Sequence, residues 1–125
     1  MANPPPSTPS VKFGRAIPIL GVGNLQKSLA YYEKVLGFKE NWISPPLASV
    51  SRDRCSVMLA EGEQGNPGTW VWFGVGDAQR VYEELKASGA KIILPPKSYP
   101  WALEMRVEDP VGHVLRLGSD TIESH

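Results

Sequence analysis

An α+β fold is what this 125-residue sequence predicts: two tandem βαβββ modules forming a curved, partly closed mixed sheet around a ligand cavity, with the helices on the outer face. Two helical stretches of the same design carry the prediction. Each has a capping Asn or Asp, apolar residues at helical spacing and a terminating glycine, twelve or thirteen residues after the cap. Each is preceded by one short apolar run and followed by three strand-like segments broken by turn residues. Between the two sets, residues 61–68 are acidic and glycine-rich with no apolar period, which marks a connection.

The elements follow in order. Residues 15–20 form a first strand, and Pro18, lacking an amide donor, places it at a sheet edge. Asn24 caps a helix whose inward face carries Leu25, Leu29, Tyr32, Val35 and Leu36, and Gly37 ends it. Residues 38–43, 47–52 and 55–59 then read as an antiparallel meander. The second half repeats the plan. Residues 69–75 form an aromatic-rich strand, and Asp77 caps a helix with Ala78, Val81, Tyr82 and Leu85 on one face, ending at Gly89. Residues 91–94, 101–107 and 114–117 complete the module. The expected domain is 13–119, with modules at about 15–60 and 69–118, a disordered proline-rich tail at 1–12 and a short tail at 120–125. Each half leaves one sheet face uncovered, and two such faces can enclose a concavity suited to a ligand.

Composition narrows the function. Thirteen Lys and Arg balance thirteen Asp and Glu, so neither nucleic acid nor a membrane surface is an expected partner. The single cysteine, Cys55, excludes an intrachain disulfide and suits a reducing, cytoplasmic location. The N-terminal residues have neither a basic start nor an apolar run, so no signal peptide is expected. No stretch approaches the ~20 apolar residues that a membrane span needs.

The pairings Asn24-Leu25 with Tyr31-Tyr32 and Leu36-Gly37-Phe38, then Val75-Gly76-Asp77, then Glu108-Asp109-Pro110-Val111-Gly112-His113 resemble the vicinal oxygen chelate superfamily of glyoxalases, extradiol dioxygenases and antibiotic-resistance proteins. The resemblance covers roughly residues 15–118. Ile17-Pro18-Ile19-Leu20, Trp70-Val71-Trp72 and Pro100-Trp101-Ala102-Leu103-Glu104 are similar to bleomycin resistance proteins in particular. The Asp-Pro-x-Gly-His segment itself reads as a hairpin turn, which speaks for fold and not for chemistry.

In enzymes of that superfamily a divalent ion is held by His, Gln or Glu from the first and last strand of each half. The resemblance places those four positions at Ile17, Met58, Trp70 and Arg116, none of which suits a hard divalent ion. No metal and no cofactor are therefore expected. Alternation along the strands turns Ile17, Ile19, Ser56, Met58, Trp70, Trp72, Val114 and Arg116 toward the cavity, joined by Glu104 and Arg106, while Val57, Leu59, Val71, Phe73, Val75, Leu115 and Leu117 lie under the helices.

The candidate ligand-binding residues are Trp42, Met58, Trp70, Trp72, Tyr99, Trp101, Glu104, Arg106 and Arg116. Indoles stack on flat rings and on cations, and arginine forks take carboxylates or phosphates, so the expected ligand is a planar or aromatic small molecule. Two readings stand for Trp70 and Trp72, core filling and ligand stacking. Glu104 is either a structural partner of Arg106 or Arg116, or a general base with a raised pKa. No catalytic residue is assigned. The resemblance implies a homodimeric, non-catalytic protein that sequesters a drug-like compound, with its N-terminal strand exchanged between subunits in one version; the alternative is a superfamily lyase or isomerase acting on a small metabolite. The neutral charge and two cavity arginines depart from what a trap for cationic bleomycin requires, and favour an anionic or zwitterionic ligand.

Overall fold

The computed structural model describes residues 11–62, 65 and 68–120; most of both expected tails, at 1–10 and 121–125, lies outside the described residues. The element order is β1 (Ile19–Val22), α1 (Leu25–Lys34), β2 (Lys39–Ser44), β3 (Leu47–Arg52), β4 (Cys55–Glu61), β5 (Trp70–Gly74), α2 (Ala78–Ala87), β6 (Lys91–Ser98), β7 (Leu103–Glu108) and β8 (Val114–Ser119). Two four-stranded mixed sheets result, ordered β1-β4-β3-β2 and β5-β8-β7-β6, so each βαβββ module builds one sheet with a single parallel pair. Asn24 caps α1 by accepting from the amide of Lys27, and Asp77 caps α2 by accepting from Gln79 and Arg80, as the two capping signals predict.

Several strand boundaries differ from the sequence expectation, and three of the shifts have a visible backbone cause. The first strand starts at Ile19 instead of residue 15, because Pro18 brings no amide to the ladder; its carbonyl still accepts from the amide of Met58 at 2.9 Å. Strand β6 continues to Ser98 through Pro95 and Pro96. It lies at the sheet edge and shifts register on both sides of Leu94, so the prolines fall where missing donors cost little. Strand β7 begins at Leu103 and not at residue 101, since Tyr99 and Ala102 exchange backbone bonds of 2.8 and 3.3 Å that close a turn and carry Trp101 at its tip.

One hydrophobic cluster runs through both modules. It takes Leu25, Leu29 and Tyr32 from α1, Val50, Val57 and Leu59 from the first sheet, and Met105, Val107, Leu115 and Leu117 from the second. The helix-facing sides of both sheets thus belong to a common core. Two polar contacts register the modules within it. The Tyr32 hydroxyl donates to Asp109 Oδ2 at 2.8 Å, and Asp109 Oδ1 accepts from the amides of Val111 and His113. His113 Nδ1 accepts from the Thr69 amide, which leaves Nε2 to donate to the Gly21 carbonyl at 2.7 Å. Burial, then the neighbouring Asp109 charge, holds the Tyr32 hydroxyl well above the usual phenol range, so it remains a donor. Phe38 and Phe73 complete the junction with ring centroids 5.7 Å apart.

Among the described residues, no helix is long and apolar enough to cross a membrane. Tyr32→Phe removes the one side-chain donor to a buried carboxylate, and should lower stability by about 2 kcal/mol in urea unfolding with an unchanged slope.

Candidate functional site

Side chains alternate across β5: Phe73 is 5% exposed while Trp70 and Trp72 are 55% and 47% exposed. The tryptophans therefore stand on the sheet face opposite the core, and their core-filling reading is set aside. In register, Trp72 pairs with Arg116, and Arg116 pairs with Arg106 across β8 and β7. Like charges directly opposite each other repel, and a sheet tolerates them only with a counter-charge in reach.

Glu104 supplies it. Its side chain has no solvent exposure, and its two oxygens accept four hydrogen bonds. Arg116 grips it with two donors, Nε at 2.6 Å and Nη2 at 2.9 Å; Arg106 Nε donates at 2.8 Å and Trp101 Nε1 at 3.1 Å. The bonds from Arg116 outweigh burial and, with those from Arg106 and Trp101, push the carboxyl pKa down to about 2. Such a carboxylate is a weak base. The expectation of a raised pKa for general-base work at Glu104 is overturned, and the ion-pair reading holds with both arginines at once.

One carboxylate between two guanidiniums leaves this cluster with one net positive charge. Each cation also lies on an indole: Arg106 sits 5.4 Å from the Trp70 centroid and Arg116 5.5 Å from that of Trp72. Trp72 can lie low because β8 offers Gly118, where a Cβ would overlap the six-membered indole ring. Trp101, 59% exposed, stacks on Tyr99 with centroids 4.8 Å apart, and the Lys97 ammonium lies over the Tyr99 ring at 5.2 Å. Sequence reasoning missed both Lys97 and Gly118. A glycine inside a strand was the available signal for the second.

Trp42 and Met58 belong to the other sheet. Ile19, Met58, Ser49 and Trp42 are successive register partners across β1, β4, β3 and β2, so they share one face, again opposite the core. The nine expected site residues thus form two groups, Trp42 with Met58 on the first sheet and the other seven on the second. Among the described residues no hydrogen bond or ring contact joins the groups, and both faces are open to solvent. A hollow of about 270 Å³ lies on the core side, lined by residues such as Phe38, Phe73 and Val81 and by none of the nine.

The residues present do not fit a divalent ion. Ile17 and Trp70 offer no lone pair to a metal, Met58 offers a soft thioether and Arg116 a cation. Among the described residues no group of three or more His, Cys, Asp and Glu side chains is arranged to hold a metal. His113 has both ring nitrogens committed to backbone groups.

A sequence model described as Glyoxalase/Bleomycin resistance protein/Dioxygenase superfamily matches residues 13–117. No curated protein gives a significant sequence match. Among solved structures, the chain is similar to the bleomycin-binding protein from bleomycin-producing Streptomyces verticillus complexed with copper(II)-bleomycin, at 21% identity and a TM-score of 0.77 over 88% of this chain and 98% of that one. It is also similar to a bleomycin resistance determinant encoded on the transposon Tn5, at 20% identity and a TM-score of 0.76 over 86% and 98% of the two chains. TioX from Micromonospora sp. ML1 aligns at 20% identity and a TM-score of 0.74 over 85% and 98%. At these identities the likeness is one of fold.

Two outcomes are expected from this geometry. Because the folded chain holds the Glu104 proton more weakly than the unfolded chain does, its contribution is present above the ordinary carboxylate range and lost as pH falls toward about 2. Melting temperatures of the wild type and Glu104→Gln, measured from pH 6 down to pH 2, should converge toward the acid end, the variant lacking that part of the acid dependence. Gly118→Ala should lift the Trp72 indole off β8, read as a changed near-ultraviolet circular dichroism band and a shifted fluorescence maximum with far-ultraviolet signal retained.

Proposed function

Because the chain belongs to the glyoxalase/bleomycin resistance protein/dioxygenase superfamily, and its outward-facing tryptophans are seated on arginines, we propose that it is a metal-free binding protein that sequesters a planar, aromatic, drug-like compound. The observation that carries this reading is the pair Trp70 and Trp72: large apolar rings about half exposed, each with an arginine on its face. Large aromatic surface left open on a rigid sheet is contact surface in waiting. The net positive charge of the Glu104 cluster selects a ligand with an acidic group. A cationic drug would meet like charge there.

One chain supplies half of the proposed site, since each tryptophan-bearing face lacks an opposite wall among the described residues. A homodimer supplies that wall by setting the first-sheet face of one subunit, with Trp42 and Met58, over the second-sheet face of its partner. Ile17 and Ile19, 37% and 41% exposed at the edge strand, add apolar surface to the same interface, and residues 11–18 precede β1 as an arm that can cross to the partner. The lone, half-buried Cys55 suits the reducing cytoplasm.

Intrinsic fluorescence tests the binding reading. Titration with metal-free bleomycin and then with planar aromatic acids should give saturable quenching at one ligand per subunit or per dimer, with the ligand recovered unaltered. Trp72→Ala should weaken the interaction about tenfold. Recovery of a chemically altered ligand would move the assignment to a superfamily lyase or isomerase, and silence across the panel would refute ligand binding. Light scattering at micromolar concentration should report a dimer; a monomer would remove the shared-wall arrangement.

A further inference from the structure

Beneath the second sheet, on the side away from the tryptophans, lies the hollow of about 270 Å³ noted above. Its floor is apolar and built from both modules: Phe38 follows α1, Phe73 comes from β5, Val81 and Leu85 from α2, and Leu117 from β8. Its rim is different in kind. The β3–β4 turn contributes Arg52, Asp53 and Arg54 to it, together with Gly76, where an added Cβ would meet nothing within 4 Å. Arg54 and Gly76 are exposed, so the hollow opens to water.

The charges at the rim are unequal. The Arg52 guanidinium is committed, donating to both Glu84 oxygens at 2.8 and 2.9 Å and to the Leu36 carbonyl. Arg15 donates to the Arg54 carbonyl at 2.6 Å and brings a third guanidinium beside the turn. Against Arg15, Arg52 and Arg54 stand Asp53 and Glu84. Among the described residues the Arg54 side chain makes no hydrogen bond or ion pair, which leaves one uncommitted cation over an apolar floor. Cys55, half-buried in the wall, is held as a neutral thiol by burial and by the Asp53 charge, and adds to the apolar lining.

We propose that this hollow is a second ligand site, separate from the tryptophan faces, that takes a small amphipathic carboxylate: an apolar body in the Phe38–Phe73–Leu85 floor and the carboxylate on Arg54. Size supports the class. An apolar cavity of ~150 Å³ accommodates one benzene, so about 270 Å³ accommodates an unbranched chain of roughly eight to ten carbons or a bicyclic ring. Charge complementarity supplies the headgroup, because an uncommitted guanidinium at an apolar mouth favours an anion with a greasy tail over a neutral or cationic one. The site does not depend on the sequestration reading, since alternate side chains of the same strands serve the two sides: Trp72 outward and Phe73 inward on β5, Arg116 outward and Leu117 inward on β8.

Titration calorimetry on the full chain with decanoate and with decan-1-ol, kept below their aggregation limits, tests it, paired with chemical-shift mapping of backbone and indole resonances. Decanoate should bind saturably at one per chain, about fivefold tighter than the alcohol, and Arg54→Gln should erase that difference. Val81→Trp, which fills the floor from α2, should abolish both, while Trp72→Ala leaves both unchanged. Shifts should centre on Gly74, Gly76, Val81 and Leu85 in the wild type, a readout that stands even if the Val81 variant fails to fold. No saturable binding, shifts confined to the Trp70 and Trp72 indoles, or contacts showing that Phe13 of the chain's own arm already fills the hollow would each overturn the proposal.

Discussion

A carboxylate without solvent contact, Glu104, is the constraint on which the candidate site depends. Two arginines directly opposite on neighbouring strands would drive β7 and β8 apart electrostatically, and two half-exposed tryptophans beside them would have nothing to fix their planes. Glu104 resolves both. It accepts from both guanidiniums and from Trp101, and the guanidiniums so fixed lie on Trp70 and Trp72. Because the carboxylate accepts four hydrogen bonds and its pKa is pushed down to about 2, it is a weak base.

The second requirement is that the two modules hold a fixed relation. The Tyr32–Asp109 bond, the His113 ring, which ties the start of the second module to Gly21 in the first, and the Arg52–Glu84 pair between β3 and α2 serve it. With the helix-facing sides of both sheets in one core, the opposite faces look outward, and the charged residues of the second face find their partners on that same face. The fold turns its aromatic faces outward and buries the Tyr32 and His113 contacts that join its modules.

Local signals in the sequence were strong where they are physically local. The caps at Asn24 and Asp77, the meander after α1 and the alternation that separates Trp72 from Phe73 follow from spacing alone, and the structure has them. What was missed depends on distance or on edges. The apolar run around Pro18 made the first strand look longer than pairing allows, and Pro95-Pro96 made β6 look shorter, because the sequence does not say which side of an edge strand lacks a partner. The full burial of Glu104 rests on three side chains meeting it from β7, β8 and the Trp101 turn. Asp109 and His113 read as ordinary turn residues, since their partners Tyr32 and Gly21 lie 77 and 92 positions away. The tryptophan face of the partly closed sheet is open to solvent in the single chain, and a second hollow lies on the other side of the sheet, where aliphatic residues gave no sign of it.

Under the proposed reading, Trp70 and Trp72, seated on Arg106 and Arg116, form a binding face for planar aromatic acids. The most direct measurement follows the indole N–H resonances of all four tryptophans during titration with naphthalene-2-sulfonate, a flat ring carrying one fixed negative charge, and with the isosteric quaternary naphthylammonium cation. Expected are saturable movement of the Trp70 and Trp72 signals with the sulfonate, much weaker movement with the cation, and loss of that preference in Arg116→Gln. Equal response to both charges, or a sulfonate response that spares Trp70 and Trp72, would contradict it.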